Sequence, residues 1–120
     1  AFLATHGEDS PLITPVNPVA AEGGAIWVAL HADSEAAAHV RQQSRVELCY
    51  VGREGQHLRL RCDTEPVDTP HARQRLWDRY HILRLKFSEA GDPRLSLLRL
   101  EVREAFATPS TGGEEKRLEL

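Results

Sequence analysis

The stretch HLRLRCDTEPV, residues 57–67, decides the fold class of this chain. Its apolar positions Leu58, Leu60 and Cys62 alternate with polar ones, so the two sets lie on opposite faces of an extended backbone. A period of two residues is typical of a strand with one face in a core and the other in solvent. The stretch therefore predicts a half-buried β-strand, and with it a β-sheet.

The polar face of this strand consists of His57, Arg59 and Arg61. One interpretation is a cationic stripe that binds a phosphate or carboxylate. The other is a solvated face whose arginines pair with Glu47 and Glu65. Alternating charge is common on the outer face of a sheet, so we favour the second interpretation.

Similar segments lie on both sides of this strand. Further strands are predicted at Phe2–His6, Pro11–Val19, Ala25–Leu30 and Val46–Val51, and in a last segment whose one face carries Leu98, Leu100, Val102 and Phe106. Helices are predicted for Ser34–Gln43 and after Asp68-Thr69-Pro70, because both begin with capping signals. Hairpin-length turns separate the first three strands and favour antiparallel pairing. The order β-β-β-α-β-β-α-β predicts a mainly β protein: a six-stranded antiparallel barrel over residues 1–107 with flanking helices, followed by a polar tail at 108–120.

Composition limits the class of protein. The chain has 120 residues, of which 41% are hydrophobic and 28% charged, as in a single globular domain. Its 15 Lys and Arg residues are outnumbered by 18 Asp and Glu, which argues against nucleic-acid binding. No apolar run is long enough to cross a membrane, so we expect a soluble, cytoplasmic protein. The chain has no Met and opens on a predicted strand, so we expect further residues to precede Ala1.

The common catalytic and metal-binding motifs are missing from the sequence. It contains no GxGxxG, GxxxxGK[ST], HExxH, CxxC or GxSxG pattern, and its six histidines are scattered. We therefore expect no metal site, and catalytic residues stay unassigned. Cys62 falls on the apolar face of its strand and Cys49 on the strand before it, so both are expected to be reduced and unreactive.

The ordered set of short motifs resembles the pyridoxamine 5′-phosphate oxidase-like family of FMN-binding split barrels, and within it the bacterial general stress proteins. The motifs that carry this resemblance are Leu3-Ala4-Thr5, Thr14-Pro15-Val16, Ile26-Trp27, Ala32-Asp33-Ser34, Arg41 with Arg45-Val46, Leu76-Trp77, and Asp92-Pro93 before Leu97-Leu98-Arg99-Leu100. They cover nearly the whole chain except the tail and a helix that the family carries before its first strand. The resemblance implies a split barrel, a homodimer, and FMN bound between the two subunits.

Six residues match the family's flavin-binding positions: Thr14, Pro15, Val16, Leu30, His31 and Ser34. Typical members have Arg-Pro in place of Thr14-Pro15 and Thr-Ser in place of Leu30-His31. They also carry a Lys two residues after the serine, where this chain has Ala36. Because these changes remove cations from the phosphate site, the resemblance implies FMN binding of modest affinity, which arginine at position 14 and lysine at position 36 are predicted to strengthen.

Three functions remain open at this stage. The first is a flavin-dependent oxidoreductase of unknown substrate, in which the cofactor carries the electrons. The second is a non-catalytic dimeric module that has lost FMN or binds FAD, a deazaflavin, haem or another small phosphate-bearing ligand. The third is a barrel that serves only as an assembly surface.

Overall fold

The computed structural model describes residues 1–120 and contains eight strands and two α-helices. The elements are β1 (Phe2–His6), β2 (Pro11–Pro15), β3 (Ala20–Glu22), β4 (Ala25–His31), α1 (Glu35–Gln42), β5 (Arg45–Val51), β6 (His57–Pro66), α2 (Pro70–Arg79), a 3₁₀ segment (His81–Leu85), β7 (Leu95–Thr108) and β8 (Lys116–Leu118). No helix is long and apolar enough to span a membrane.

All the strands belong to one antiparallel sheet. Its order is β2-β1-β5-β6-β7-β4-β3, and β8 pairs with β7 outside this path. The edge strands β2 and β3 do not pair with each other, so the barrel stays open. The prediction of a mainly β, antiparallel split barrel with flanking helices is confirmed.

The number of strands differs from the six predicted. The segment Pro11–Val19 is a strand only as far as Pro15, since prolines at positions 15 and 18 cannot donate to a ladder. β3 forms instead at the residues that were predicted to be a turn, and a two-glycine hairpin joins it to β4. Gly23 and Gly24 have φ values of 61° and 74°, the left-handed backbone that such a hairpin requires. The eighth strand, β8, lies inside the predicted tail.

A β-bulge corrects the predicted face of β7. Cys62 pairs with Val102 and Arg61 with Glu104, so Arg103 is the extra residue on β7. Beyond it the side-chain alternation is inverted: Ala105 enters the core, and Phe106 lies on the outer face. The prediction that Phe106 shares a face with Leu100 was therefore wrong. The Phe106 ring lies instead beneath the guanidinium groups of Arg59 and Arg61. The Cζ atoms of these arginines are 4.6 and 5.1 Å from the centroid of the ring.

The chain has two apolar cores, one on each side of the sheet. The larger includes Leu3, Leu48, Leu60 and Leu100, and α1 covers it with Ala36, Ala37 and Val40. The smaller comprises Ala25, Trp27, Val67, Leu76, Leu83, Phe87, Leu95 and Leu97. It is covered by α2 and the 3₁₀ segment. The ends of β2 and β4 and the 3₁₀ segment are thereby brought together.

Asp92 anchors the loop between the 3₁₀ segment and β7. Its buried carboxylate accepts hydrogen bonds from the amide and hydroxyl of Ser88, both at 3.1 Å, and from three nitrogens of Arg94 at 2.8–3.1 Å. Arg73 fixes the same loop by donating to the carbonyls of Ala90, Asp92 and Leu95. The Arg94 guanidinium and the Ser88 amide hold the pKa of Asp92 well below its usual range.

We expect Asp92→Asn to lower the melting temperature more than Asp9→Asn, an exposed control. The folded chain favours the ionised carboxylate of Asp92. Its contribution to the free energy of unfolding is therefore complete above the unfolded-state pKa of about 4. The contribution is lost as the pH falls further, through the lower folded-state pKa. The difference in melting temperature between wild type and Asp92→Asn is thus expected to be constant from pH 5 to 8 and to become smaller below pH 4. Calorimetry across this range checks it, and a difference that grows in acid would contradict it.

Candidate functional site

A cavity of about 360 Å³ lies where β2 and β4 end. It collects all six residues predicted from the sequence: Thr14, Pro15, Val16, Leu30, His31 and Ser34. Nine further residues line it: Ala1, Phe2, Asn17, Val19, Ala29, Ile82, Leu83, Lys86 and Phe87. Its volume is within the roughly 300–1,000 Å³ of small-molecule sites, and its walls are mainly apolar, as is usual for such sites.

The position of the cavity follows from the open barrel. The Val16 amide donates to the Ala1 carbonyl beside β1 at 2.9 Å, and the Val19 amide donates to Trp27 on β4 at 2.8 Å. Residues 16–19 therefore cross from one side of the open barrel to the other. Pro15 and Pro18, which prevent a longer strand here, leave an irregular segment that forms one wall of the cavity.

Ser34 is the N-cap of α1, and its hydroxyl is already hydrogen-bonded within the chain. Its Oγ accepts a hydrogen bond from the Ala37 amide at 3.1 Å and donates to the His31 carbonyl at 2.7 Å. A serine has a single O–H donor, so this hydroxyl reaches a ligand only by releasing His31. The remaining N–H groups of the first turn without i−4 partners belong to residues 35 and 36, which do not line the cavity.

Thr14 and His31 complete the polar end of the cavity. Thr14 is half-buried at the end of β2, with a hydroxyl that makes no side-chain hydrogen bond in the chain. His31 is exposed, and its ring is held 5.1 Å from the buried Phe87 ring at an angle of 44°. Both side chains are thus positioned to donate hydrogen bonds to a ligand oxygen, His31 with a positive charge when it is protonated.

The lining of the cavity has no acidic side chain, although the chain carries −3 overall. None of the fifteen lining residues is Asp or Glu, and one of them, Lys86, is a lysine. Lys86 takes no part in the ion pairs of the chain, all of which use arginines or His39. Lys86 is not predictable from the sequence, because nothing in the pattern around it indicates that the 3₁₀ segment reaches the ends of β2 and β4.

The family model for pyridoxamine 5′-phosphate oxidase matches residues 1–108. The chain belongs to this oxidase family. No curated protein matches the sequence.

Several solved structures have the same fold. A NimC/NimA family protein from Clostridium acetobutylicum has a TM-score of 0.83 at 21% identity, with 99% of this chain and 82% of that one covered. A protein related to general stress protein 26, from the same organism, has a TM-score of 0.81 at 16% identity, with coverage of 99% and 84%. A pyridoxamine 5′-phosphate oxidase-related FMN-binding protein from Nostoc punctiforme has a TM-score of 0.75 at 17% identity, with coverage of 97% and 76%.

Ala36 is not part of the cavity. The family resemblance implies a phosphate-binding lysine in typical members at this position, but here the residue is only 1% exposed and belongs to the larger core. A lysine at this position would place its stem among apolar side chains, and burying its charge would destabilise the fold. A cation cannot be restored at position 36 as simply as the sequence comparison predicts.

The arginines of the outer face are already paired. Arg59 forms ion pairs with Glu47 and Glu115, and Arg61 lies 3.8 Å from Glu47 and 3.5 Å from Glu104. The solvated and paired face is therefore the correct interpretation of the stripe on β6, with Glu104 and Glu115 in place of Glu65. These carboxylates neutralise the stripe within the chain.

The two cysteines lie on opposite faces of the sheet and cannot form a disulfide with each other. Cys62 is 2% exposed, and burial raises the pKa of its thiol to about 11. Cys49 is half-buried on the outer face.

We expect neither native thiol to react with 5,5′-dithiobis(2-nitrobenzoate) at pH 7.5 at the rate of an exposed, low-pKa cysteine. The same protein in guanidinium chloride is the control, where both thiols react fully. Rapid labelling of Cys62 in the folded state would contradict the prediction.

Proposed function

We propose that this protein binds FMN in the cavity at the ends of β2 and β4 and acts as a flavin-dependent oxidoreductase. One observation carries the proposal: the six residues at the family's flavin-binding positions meet in a single apolar cavity without carboxylates. An apolar wall suits the flat isoalloxazine ring, and a site free of negative charge suits the phosphate.

The residues of the chain would bind the two ends of FMN differently. Leu30, Val16 and Phe87 offer apolar contact for the ring. Thr14 and His31 offer hydrogen-bond donors for the phosphate. These donors satisfy phosphate oxygens but compensate its charge only in part, so the affinity is expected to be modest.

The chemistry of electron transfer belongs to the cofactor. When bound, FMN supplies transfer of a hydride or of single electrons. Around it, this chain supplies walls that exclude water and donors that orient the ring. His31 and Lys86 are the only ionisable side chains in the lining, so any proton transferred by a side chain there passes through one of them.

A homodimer is part of the same proposal. Phe2 and Ile13 are 44% and 68% exposed, and both lie on the outer face of β1 and β2 with Pro15 and Ala4. Pairing of β1 with β5 places Cys49 beside Phe2 and Glu47 beside Ala4, so the apolar face continues to Cys49 and ends at Glu47. Because Phe2 and Pro15 also line the cavity, a second copy on this face would reach the cavity rim.

Titration of FMN into the apoprotein tests the proposal. We expect quenching of flavin fluorescence with saturable binding, and weaker quenching of riboflavin, which has the same ring without the phosphate. FAD, a deazaflavin and haem are titrated in parallel. Binding of one of these in preference to FMN, or of none, would overturn FMN binding and favour the non-catalytic module.

A further inference from the structure

Lys86 lines the cavity, but the family resemblance predicts no role for it. Most arginines of the chain are occupied: eight form ion pairs, and Arg41, Arg73 and Arg84 donate to backbone carbonyls. Lys86 faces a cavity with no carboxylate in its lining. An unpaired cation in such surroundings is available to an external anion.

The backbone around Lys86 is held firmly in place. Its amide donates to Leu83 at the end of the 3₁₀ segment, and the Phe87 amide donates to the same carbonyl at 3.0 Å. Leu83 and Phe87 are 2% and 5% exposed within the smaller core. The anchored loop at Asp92 follows directly. A flexible lysine side chain therefore extends from a rigid base on the cavity wall.

We propose that Lys86 neutralises the anionic group of the bound ligand, and so replaces the cations that the family places at positions 14 and 36. The inference rests on the proposed function for the identity of the ligand, a planar molecule with a phosphate. It adds that the ammonium group of Lys86, at the end of the 3₁₀ segment, compensates the charge of this phosphate. An ammonium beside a phosphate forms a charge-assisted hydrogen bond, which is stronger than the contacts of neutral hydroxyls.

The first experiment compares affinities for FMN and riboflavin. We expect Lys86→Gln to weaken FMN binding about 10- to 100-fold and to leave riboflavin binding unchanged. Lys86→Arg is expected to keep most of the FMN affinity because it keeps the charge. Lys116→Gln is the matched control, since Lys116 is the only other lysine of the chain and is exposed on β8. Equal weakening of FMN and riboflavin, or no change for either, would overturn the inference.

The second experiment measures protection of Lys86 from acylation by acetic anhydride. Peptide mass spectrometry separates Lys86 from Lys116 in one digest. We expect FMN to slow acetylation of Lys86 and not of Lys116, and millimolar inorganic phosphate to have a smaller effect of the same kind. If FMN binds without protecting Lys86, the inference fails while the proposed function stands. If FMN does not bind but phosphate protects Lys86, FMN binding fails and the anion contact stands. If neither protects Lys86, the inference is overturned.

Discussion

Replacing Thr14 by arginine is expected to tighten FMN binding by about 2- to 30-fold. Thr14 lies at the polar end of the cavity, half-buried, with a hydroxyl that has no side-chain partner in the chain. Each charge-assisted contact contributes about 1.5–3 kcal/mol, against about 1 kcal/mol for a neutral one. The end of a strand also leaves room for a longer side chain, since the cavity opens beside it. Fluorescence titration of the apoprotein measures the change.

Two controls separate charge from size in this experiment. Thr14→Gln adds length without charge and is expected to change the affinity little. Riboflavin has no phosphate and is expected to bind wild type and Thr14→Arg equally. If wild type already binds FMN in the nanomolar range and Thr14→Arg is no tighter, existing cations suffice, and the replacement of the family's arginine has no consequence here.

Position 36 is left out of this design for a structural reason. The sequence comparison alone favours the double change of Thr14 to arginine and Ala36 to lysine. In the fold, Ala36 packs into the larger core, and its loss would confound affinity with stability. Thr14 and Lys86 are therefore the two positions where the charge of the site is best varied.

The sequence was informative wherever one face of an element is buried and the other is not. On β5 and β6 the alternation correctly placed Leu48, Leu60 and Cys62 in the core. The helix of α1 was found from its serine cap, which the structure shows in contact with the Ala37 amide. Such signals are local, and each depends on a few neighbouring residues.

Features that depend on distant parts of the chain were not predictable. The bulge at Arg103 inverts the alternation on β7, and only the register against β6 reveals it. Four strands and two helices lie between Thr14 and Lys86 along the chain. Only the packing of Phe87 and Leu83 brings Lys86 to the cavity. The family resemblance identified six cavity residues, because they match positions that the family uses. Lys86 matches no such position, so the resemblance could not identify it.

Ile13→Glu is expected to dissociate the proposed dimer and to weaken FMN binding in the same step. Ile13 is 68% exposed on the edge strand β2, within the apolar face formed by β1 and β2. A symmetric dimer uses the same patch on both subunits, so a single substitution places two carboxylates in one interface. A charge buried without a partner costs several kcal/mol, which raises the dissociation constant by about 100-fold or more.

Sedimentation velocity at micromolar concentration and FMN titration are measured on the same samples. Leu120→Glu is the control, since Leu120 is 77% exposed and lies outside the apolar face. Phe2 and Pro15 belong both to this face and to the cavity, so separation of the subunits exposes the rim and lets water reach the ligand. We therefore expect dimerisation and FMN affinity to fall together in Ile13→Glu and to be unchanged in Leu120→Glu. A wild-type monomer that binds FMN tightly would contradict this, because the cavity would then be complete within one chain.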